Sequence, residues 1–119
     1  MKIYVGNDII EVKRIQESIE SLGDKFLNRV FTEKEIEYCE SKNVMKYQHY
    51  AARFAAKEAI FKAISKNLEN KFDIGWKDAE ILNDINGRPY VNINIKVNID
   101  LSISHIKEYA IATAVAIFD

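Results

Sequence analysis

Between Tyr109 and Ile117 the chain alternates without a break. Tyr109, Ile111, Thr113, Val115 and Ile117 are separated by Ala110, Ala112, Ala114 and Ala116. Successive side chains of a strand point to opposite faces, so this segment is a strand with one bulky face and one very small face. A face of methyl groups has to be covered by something that approaches closely, either a helix with small residues of its own or a second chain. The candidate helix lies upstream. From about Met45 to Leu68 no Gly or Pro interrupts a helical pattern in which Tyr50, Phe54, Phe61, Ile64 and Leu68 form one stripe. Ala51, Ala55, Ala56, Ala59 and Ala63 keep the rest of that surface small, which predicts a central, well-buried helix.

The other segments fall around this pair. Ile3 and Val5 begin a short strand that Gly6-Asn7-Asp8 is expected to interrupt. Val12, Ile15, Ile19 and Leu22 then follow helical spacing up to Gly23. Thr32-Glu33-Lys34-Glu35 reads as a capping box opening a short helix with Ile36 and Cys39. Beyond Leu68 the period changes to two. Ile74 and Trp76 alternate with polar or small residues, Asn86-Gly87 is a turn signal, and Val91 to Ile99 alternates with Asn92, Asn94, Lys96 and Asn98 as one half-buried strand. Leu101 and Ile103 alternate with Ser102 and Ser104. The predicted fold class is α+β: N-terminal helices, one of them long and central, packed on a C-terminal antiparallel sheet. With 119 residues, the expectation is a single domain over 1–119.

Composition removes several classes of function. The 17 Lys+Arg against 18 Asp+Glu give a net charge of −1, which argues against a protein that coats nucleic acid. A lone Cys39 can form neither an internal disulfide nor a cysteine zinc site, and is expected to be a small buried or half-buried residue. His49 and His105 are too few for a histidine zinc centre. Glycines at 6, 23, 75 and 87 make neither a phosphate loop nor a dinucleotide fingerprint. The longest apolar stretch, Ala110–Phe118, is far too short to span a membrane, and no apolar segment of signal-peptide length follows Met1. The chain reads as cytosolic, with no membrane or nucleic-acid partner.

Three groups of residues can carry chemistry. Asp8 follows a strand and Gly6, although alone it also suits a turn or cap. Glu11 and Arg14, three apart on a helix, suit a surface ion pair worth about 0–1 kcal/mol. Arg53, Lys57, Glu58 and Lys62 lie on the alanine-rich helix, where long solvated residues are unexpected, yet Glu58 and Lys62 also have the spacing of an ordinary helical pair. Ser102-Ile103-Ser104-His105 ends a strand just before a tight connection. Two carboxylates suit a hard cation such as Mg²⁺, which keeps waters or substrate phosphates in its shell. Lys62, Arg53 and His105 can complement phosphate charge. The residues alone therefore define a candidate metal–phosphate site without a named substrate.

The same residues give the chain its resemblance to the bacterial holo-acyl-carrier-protein synthases, the short trimeric class of 4′-phosphopantetheinyl transferases. The matching segments are Val5-Gly6-Asn7-Asp8-Ile9-Ile10-Glu11 with Arg14-Ile15, Phe31-Thr32-Glu33-Lys34-Glu35, and Arg53-Phe54-Ala55-Ala56-Lys57-Glu58-Ala59 with Lys62-Ala63. Gly87-Arg88-Pro89 and Ser102-Ile103-Ser104-His105 with Tyr109-Ala110 complete them. They occur in family order over nearly the whole chain. Asn7 departs from the aliphatic residue usual before the first aspartate. Between Tyr90 and Ser102, where some relatives carry a helical insertion, this chain has an alternating pattern.

The resemblance implies the phosphopantetheinyl transferase fold. It also implies transfer of 4′-phosphopantetheine from coenzyme A to a serine of apo-acyl carrier protein in support of fatty acid synthesis, with release of adenosine 3′,5′-bisphosphate. It implies that Asp8 and Glu58 hold Mg²⁺, that Lys62 contacts phosphate, and that Glu58 is the better candidate to take the serine proton. Arg53, Pro89 and His105 match positions lining the nucleotide, contributed by the neighbouring subunit of a homotrimer. Arg14 matches the carrier-docking position, with Lys13, Lys25 and Arg29 as further positive charge for an acidic carrier. The rival reading is a trimeric module that binds coenzyme A or carrier protein without catalysis. The presence of both Asp8 and Glu58 favours the enzyme, since a pure binder has no need of the pair.

Overall fold

The computed structural model describes residues 1–68 and 74–119. Strand β1 (Lys2–Glu11) leads into helices α1 (Val12–Leu22), α2 (Asp24–Val30), α3 (Glu33–Glu40) and α4 (Lys46–Ile64). Strands β2 (Glu80–Asn83), β3 (Pro89–Asn92), β4 (Asn98–His105) and β5 (Tyr109–Phe118) follow. β1, β5 and β4 form an antiparallel sheet in that order, and β2 and β3 pair as a separate hairpin. The class is α+β as the sequence predicts, with the N-terminal strand β1 also part of the main sheet. Among the described residues, no helix is long and apolar enough to cross a membrane.

The alanine face of β5 is covered by the central helix. Ala110, Ala112, Ala114 and Ala116 are buried, as are Ala51, Ala52, Ala55, Ala56, Ala59 and Ala63 of α4, so helix and sheet meet through methyl groups. β1 comes nearest to the helix at Gly6. A Cβ placed there would lie 2.1 Å from the Ala59 carbonyl oxygen and 2.8 Å from the Ala63 amide nitrogen, so only glycine fits. α1 ends at Gly23, whose φ of 56° is costly for other residues and whose N–H caps the Ile19 carbonyl. Thr32 and Glu35 close the predicted capping box.

Beneath that cap lies a buried ion pair. The Lys57 ammonium is 2.9 Å from Glu35, with both side chains fully buried. Its other two donors reach the carbonyl oxygens of Trp76 at 2.7 Å and Ala79 at 2.8 Å. The Glu35 carboxylate accepts from the N–H groups of Thr32 and Ile81. The whole network is satisfied, and it ties α3, α4 and the start of β2 together.

Four expectations are corrected. β1 is not interrupted at Gly6-Asn7-Asp8; its ladder with β5 runs from Lys2 to Glu11, and Asp8 pairs with Ala112 rather than sitting in a turn. The alternation from Val91 to Ile99 is not one strand. Pairing stops after Asn92 and resumes at Asn98, although Ile93, Ile95 and Val97 stay half-buried against the core. Trp76 opens a 3₁₀ turn, Trp76–Asp78, and its ring lies 4.9 Å from that of Phe54 and 5.4 Å from that of Phe61. The central helix is α-helical from Lys46 to Ile64, with 3₁₀ turns at Asn43–Met45 and Ser65–Asn67.

Gly6→Ala is expected to force β1 away from α4, lowering stability by roughly 1–3 kcal/mol or more through overpacking. Chemical denaturation measures the loss, and an unchanged midpoint would show that the close approach is not required.

Candidate active site

Strand periodicity places the Asp8 side chain on the same face as Gly6, toward α4. The Lys62 ammonium lies 3.3 Å from Asp8 Oδ1 and donates to the Asn7 carbonyl oxygen at 2.9 Å. Among the described residues the ion pairs are Lys46–Glu40, Lys57–Glu35 and Lys62–Asp8. The helical pair Glu58–Lys62 and the surface pair Glu11–Arg14 are thus absent, and Lys62 turns to the strand. Glu58, one turn back on α4, has its carboxyl pushed up by burial and then by the Asp8 carboxylate, with Lys62 opposing both. Two like charges are held together here at some cost to the fold. Asp8, Glu58, Arg14, Phe54 and Tyr109 line one open cleft of about 310 Å³. The carrier-docking candidate therefore shares a wall with the two carboxylates.

The remaining predicted residues lie elsewhere. Positions 53 and 58 of a helix are separated by about 140° around its axis, so Arg53 leaves α4 on a different flank from Glu58. Arg53 is 4% exposed; it donates to Asn83 Oδ1 at 2.6 Å, and its guanidinium carbon stands 3.9 Å from the centre of the Tyr38 ring. Its Nε has no partner among the described residues. Pro89 opens β3 opposite Asn83 in the hairpin register. His105 ends β4, its ring 4.8 Å from that of His49, which in turn lies 5.6 Å from Tyr38. Burial pulls His49 down to about 4, helped by His105, Lys42 and Arg53, so its ring is neutral near neutral pH. One flank of α4 thus carries paired carboxylates with Lys62 and Arg14, and another carries Arg53, Lys42 and the two histidines.

Several members of these groups were not singled out by sequence reasoning as site residues. Lys57 carried a signal, since a charge on an alanine-rich helix has to find a buried partner. Tyr38, His49 and Asn83 carried none, because each depends on contacts between distant segments. Cys39 is fully buried, and burial pushes its thiol up to about 12, consistent with an unreactive core residue. Among the described residues, no group of three or more His, Cys, Asp or Glu is arranged to hold a metal. A cation at Asp8 and Glu58 would need waters or substrate oxygens to complete its shell.

Fold and site together define a small α+β protein with a two-carboxylate cleft, one of its carboxylates paired to a lysine, beside a closely packed strand and helix. Residues 4–114 match the 4′-phosphopantetheinyl transferase superfamily, and the chain belongs to that family. It is 46% identical to the holo-[acyl-carrier-protein] synthase of Ruminiclostridium cellulolyticum, covering 97% of this chain and 92% of that one. It is 47% identical to the synthase of Protochlamydia amoebophila, covering 97% and 98%. Among solved structures, the complex of the Chronobacterium ammoniagenes enzyme with coenzyme A superposes with a TM-score of 0.85 at 25% identity, covering 100% and 99%. The Bacillus anthracis synthase in complex with CoA (3′,5′-ADP) gives 0.79 at 37% identity, covering 95% and 94%.

The raised Glu58 carboxyl sets the sign of a stability effect. Its folded-state proton affinity exceeds that of the unfolded chain, so ionising it above that pH destabilises the fold. Glu58→Gln is expected to raise the melting temperature near neutral pH and leave it unchanged at about pH 3, where the carboxyl is protonated in both states. A lower melting temperature near neutral pH would contradict the balance of charges described.

Proposed function

We propose that this chain is a holo-acyl-carrier-protein synthase that transfers 4′-phosphopantetheine from coenzyme A to a serine of apo-acyl carrier protein. The observation that carries the reading is the placing of Asp8 and Glu58 on one cleft, with Lys62 paired to Asp8, in a chain nearly half identical to synthases over almost its full length. We take residues 1–119 as one such domain and assign it to the cytoplasm. The non-catalytic alternative has no observation in its favour.

The Asp8 and Glu58 carboxylates fit Mg²⁺: both are hard oxygen donors, and the raised Glu58 carboxyl marks a place short of positive charge. Bound there, Mg²⁺ supplies neutralisation of the diphosphate and of the charge that develops on the leaving group. Lys62 adds a positive charge able to turn from Asp8 to a phosphate oxygen. Glu58, directly or through a water on the metal, is the candidate base for the serine proton, because no other carboxylate of a matched motif stands near it. Arg14, exposed at the cleft wall, offers an acidic carrier its first contact, with Lys13, Lys25 and Arg29 exposed nearby in sequence.

Phosphates on the nucleotide side need cations, and Arg53 and His105, with Pro89 beside Asn83, lie on the other flank of α4. The arrangement is completed if that flank of one subunit meets the carboxylate cleft of the next. The outer face of the sheet supports self-association: Ile3, Val5, Ile9 and Ile111 are 60%, 67%, 64% and 45% exposed in the isolated chain. The family resemblance supports a homotrimer as the assembly.

Incubation with coenzyme A, Mg²⁺ and apo-carrier protein is expected to add one phosphopantetheine to the carrier mass. Asp8→Ala and Glu58→Ala are expected to fold and to abolish the increment. Near-wild-type turnover of either variant at saturating Mg²⁺ would overturn the assignment of metal ligands. Val5→Glu, on the exposed face, is expected to give a folded monomer without transfer activity. Light scattering that finds an intact trimer would place the interface elsewhere.

A further inference from the structure

We propose that Gln48 is a positioning residue for the reaction, holding His105 through Nδ1–H so that the Nε2–H edge of the ring is the one turned to the phosphates of coenzyme A. The inference rests on the reading that His105 lines the nucleotide, and goes beyond it by naming what aims the ring. Gln48 Oε1 lies 2.9 Å from His105 Nδ1. An amide oxygen only accepts, so Nδ1–H donates to it, and a phosphate oxygen is met by the Nε2–H of the ring when that nitrogen also carries a proton. His49, the next residue on α4, sets its ring edge-on to His105 at 4.8 Å and forms a second wall. That wall is neutral because burial disfavours its charged form, so it does not repel a protonated His105. The groups facing His49 are Tyr38 and Lys42 from α3 and the turn after it, Arg53 from α4, and His105 from β4.

The geometry matters because His105 is the last residue of β4, where the ladder to β5 ends at Ala110 and a tight connection begins. A side chain at such a point has rotamers that regular strand packing does not select. One hydrogen bond from a rigid helix supplies the missing constraint, as outer partners do for ligating histidines. Sequence alone gave no sign of it, because residues 48 and 105 are 57 positions apart.

Gln48→Leu removes the acceptor while keeping the bulk. Loss of one hydrogen bond's net contribution is expected to raise KM for coenzyme A about three- to tenfold with little change in kcat. Gln48→Glu restores an acceptor and is expected to restore KM. In ¹⁵N spectra of the ring nitrogens at alkaline pH, wild type and Gln48→Glu should show the proton on Nδ1, and Gln48→Leu a mixture of tautomers. His105→Ala separates the two readings. If it raises KM while Gln48→Leu changes neither KM nor tautomer, the positioning role is overturned. If His105→Ala leaves KM unchanged, the placement of His105 at the nucleotide fails and the functional part of the proposal fails with it, while the ring spectrum still tests the hydrogen bond.

Discussion

The contact between Gly6 and the backbone of α4 is the constraint on which the site depends. A Cβ at position 6 would collide with the Ala59 carbonyl oxygen and the Ala63 amide nitrogen, so the strand and helix main chains lie in direct contact there. Two residues along the same face the Asp8 carboxylate meets Lys62, and one helical turn before Lys62 stands Glu58. Any larger residue at position 6 would separate strand from helix and move Asp8 away from both. The alanines of α4 and β5 serve the same end, since they let the helix settle low enough for β1 to reach it. What looks in the sequence like an economy of side-chain volume is the means of holding two carboxylates on one cleft, with a lysine against the first of them.

The second flank of α4 is organised differently. There the helix is held by the Lys57–Glu35 pair, in which every ammonium donor has a partner. Removing one member of such a pair strands the other in the core at about 3–5 kcal/mol, so the pair locks α3 and the start of β2 against the helix. The same lock keeps Arg53 against Tyr38 and Asn83. Neighbouring positions 57 and 58 therefore differ: Lys57 has a partner for every donor although burial still lowers its proton affinity, and Glu58 is buried facing a second carboxylate. The imbalance at Glu58 suits the cation proposed to bind there.

Much of this was legible in the sequence. The small face of β5, the unbroken helix, the capping box at Thr32 and the Asn86-Gly87 turn all rest on local periodicity or turn chemistry, and all appear in the structure. Asp8, Glu58 and Lys62 were found because ordered motifs singled them out, and geometry then brought them together. The misreadings share a cause. From Val91 to Ile99 the side chains do alternate between half-buried and exposed, but alternation reports burial and says nothing of hydrogen bonds, which lapse at Ile93 to Val97. At Gly6 the local turn signal was outweighed by a ladder to β5 more than a hundred residues away in sequence. Tyr38, Gln48, His49 and Asn83 were invisible because their partners are set by tertiary packing.

We propose that the two flanks of α4 are halves of one site that meet only between subunits. Mixing two inactive variants tests it most directly. Glu58→Ala and His105→Ala are partly unfolded together, refolded, and assayed for transfer to apo-carrier protein. In mixed assemblies some interfaces pair an intact carboxylate cleft with an intact histidine flank, so the account predicts partial recovery of activity, absent when either variant is refolded alone. Mixed assemblies that form, as judged by mass, and recover no activity would contradict it.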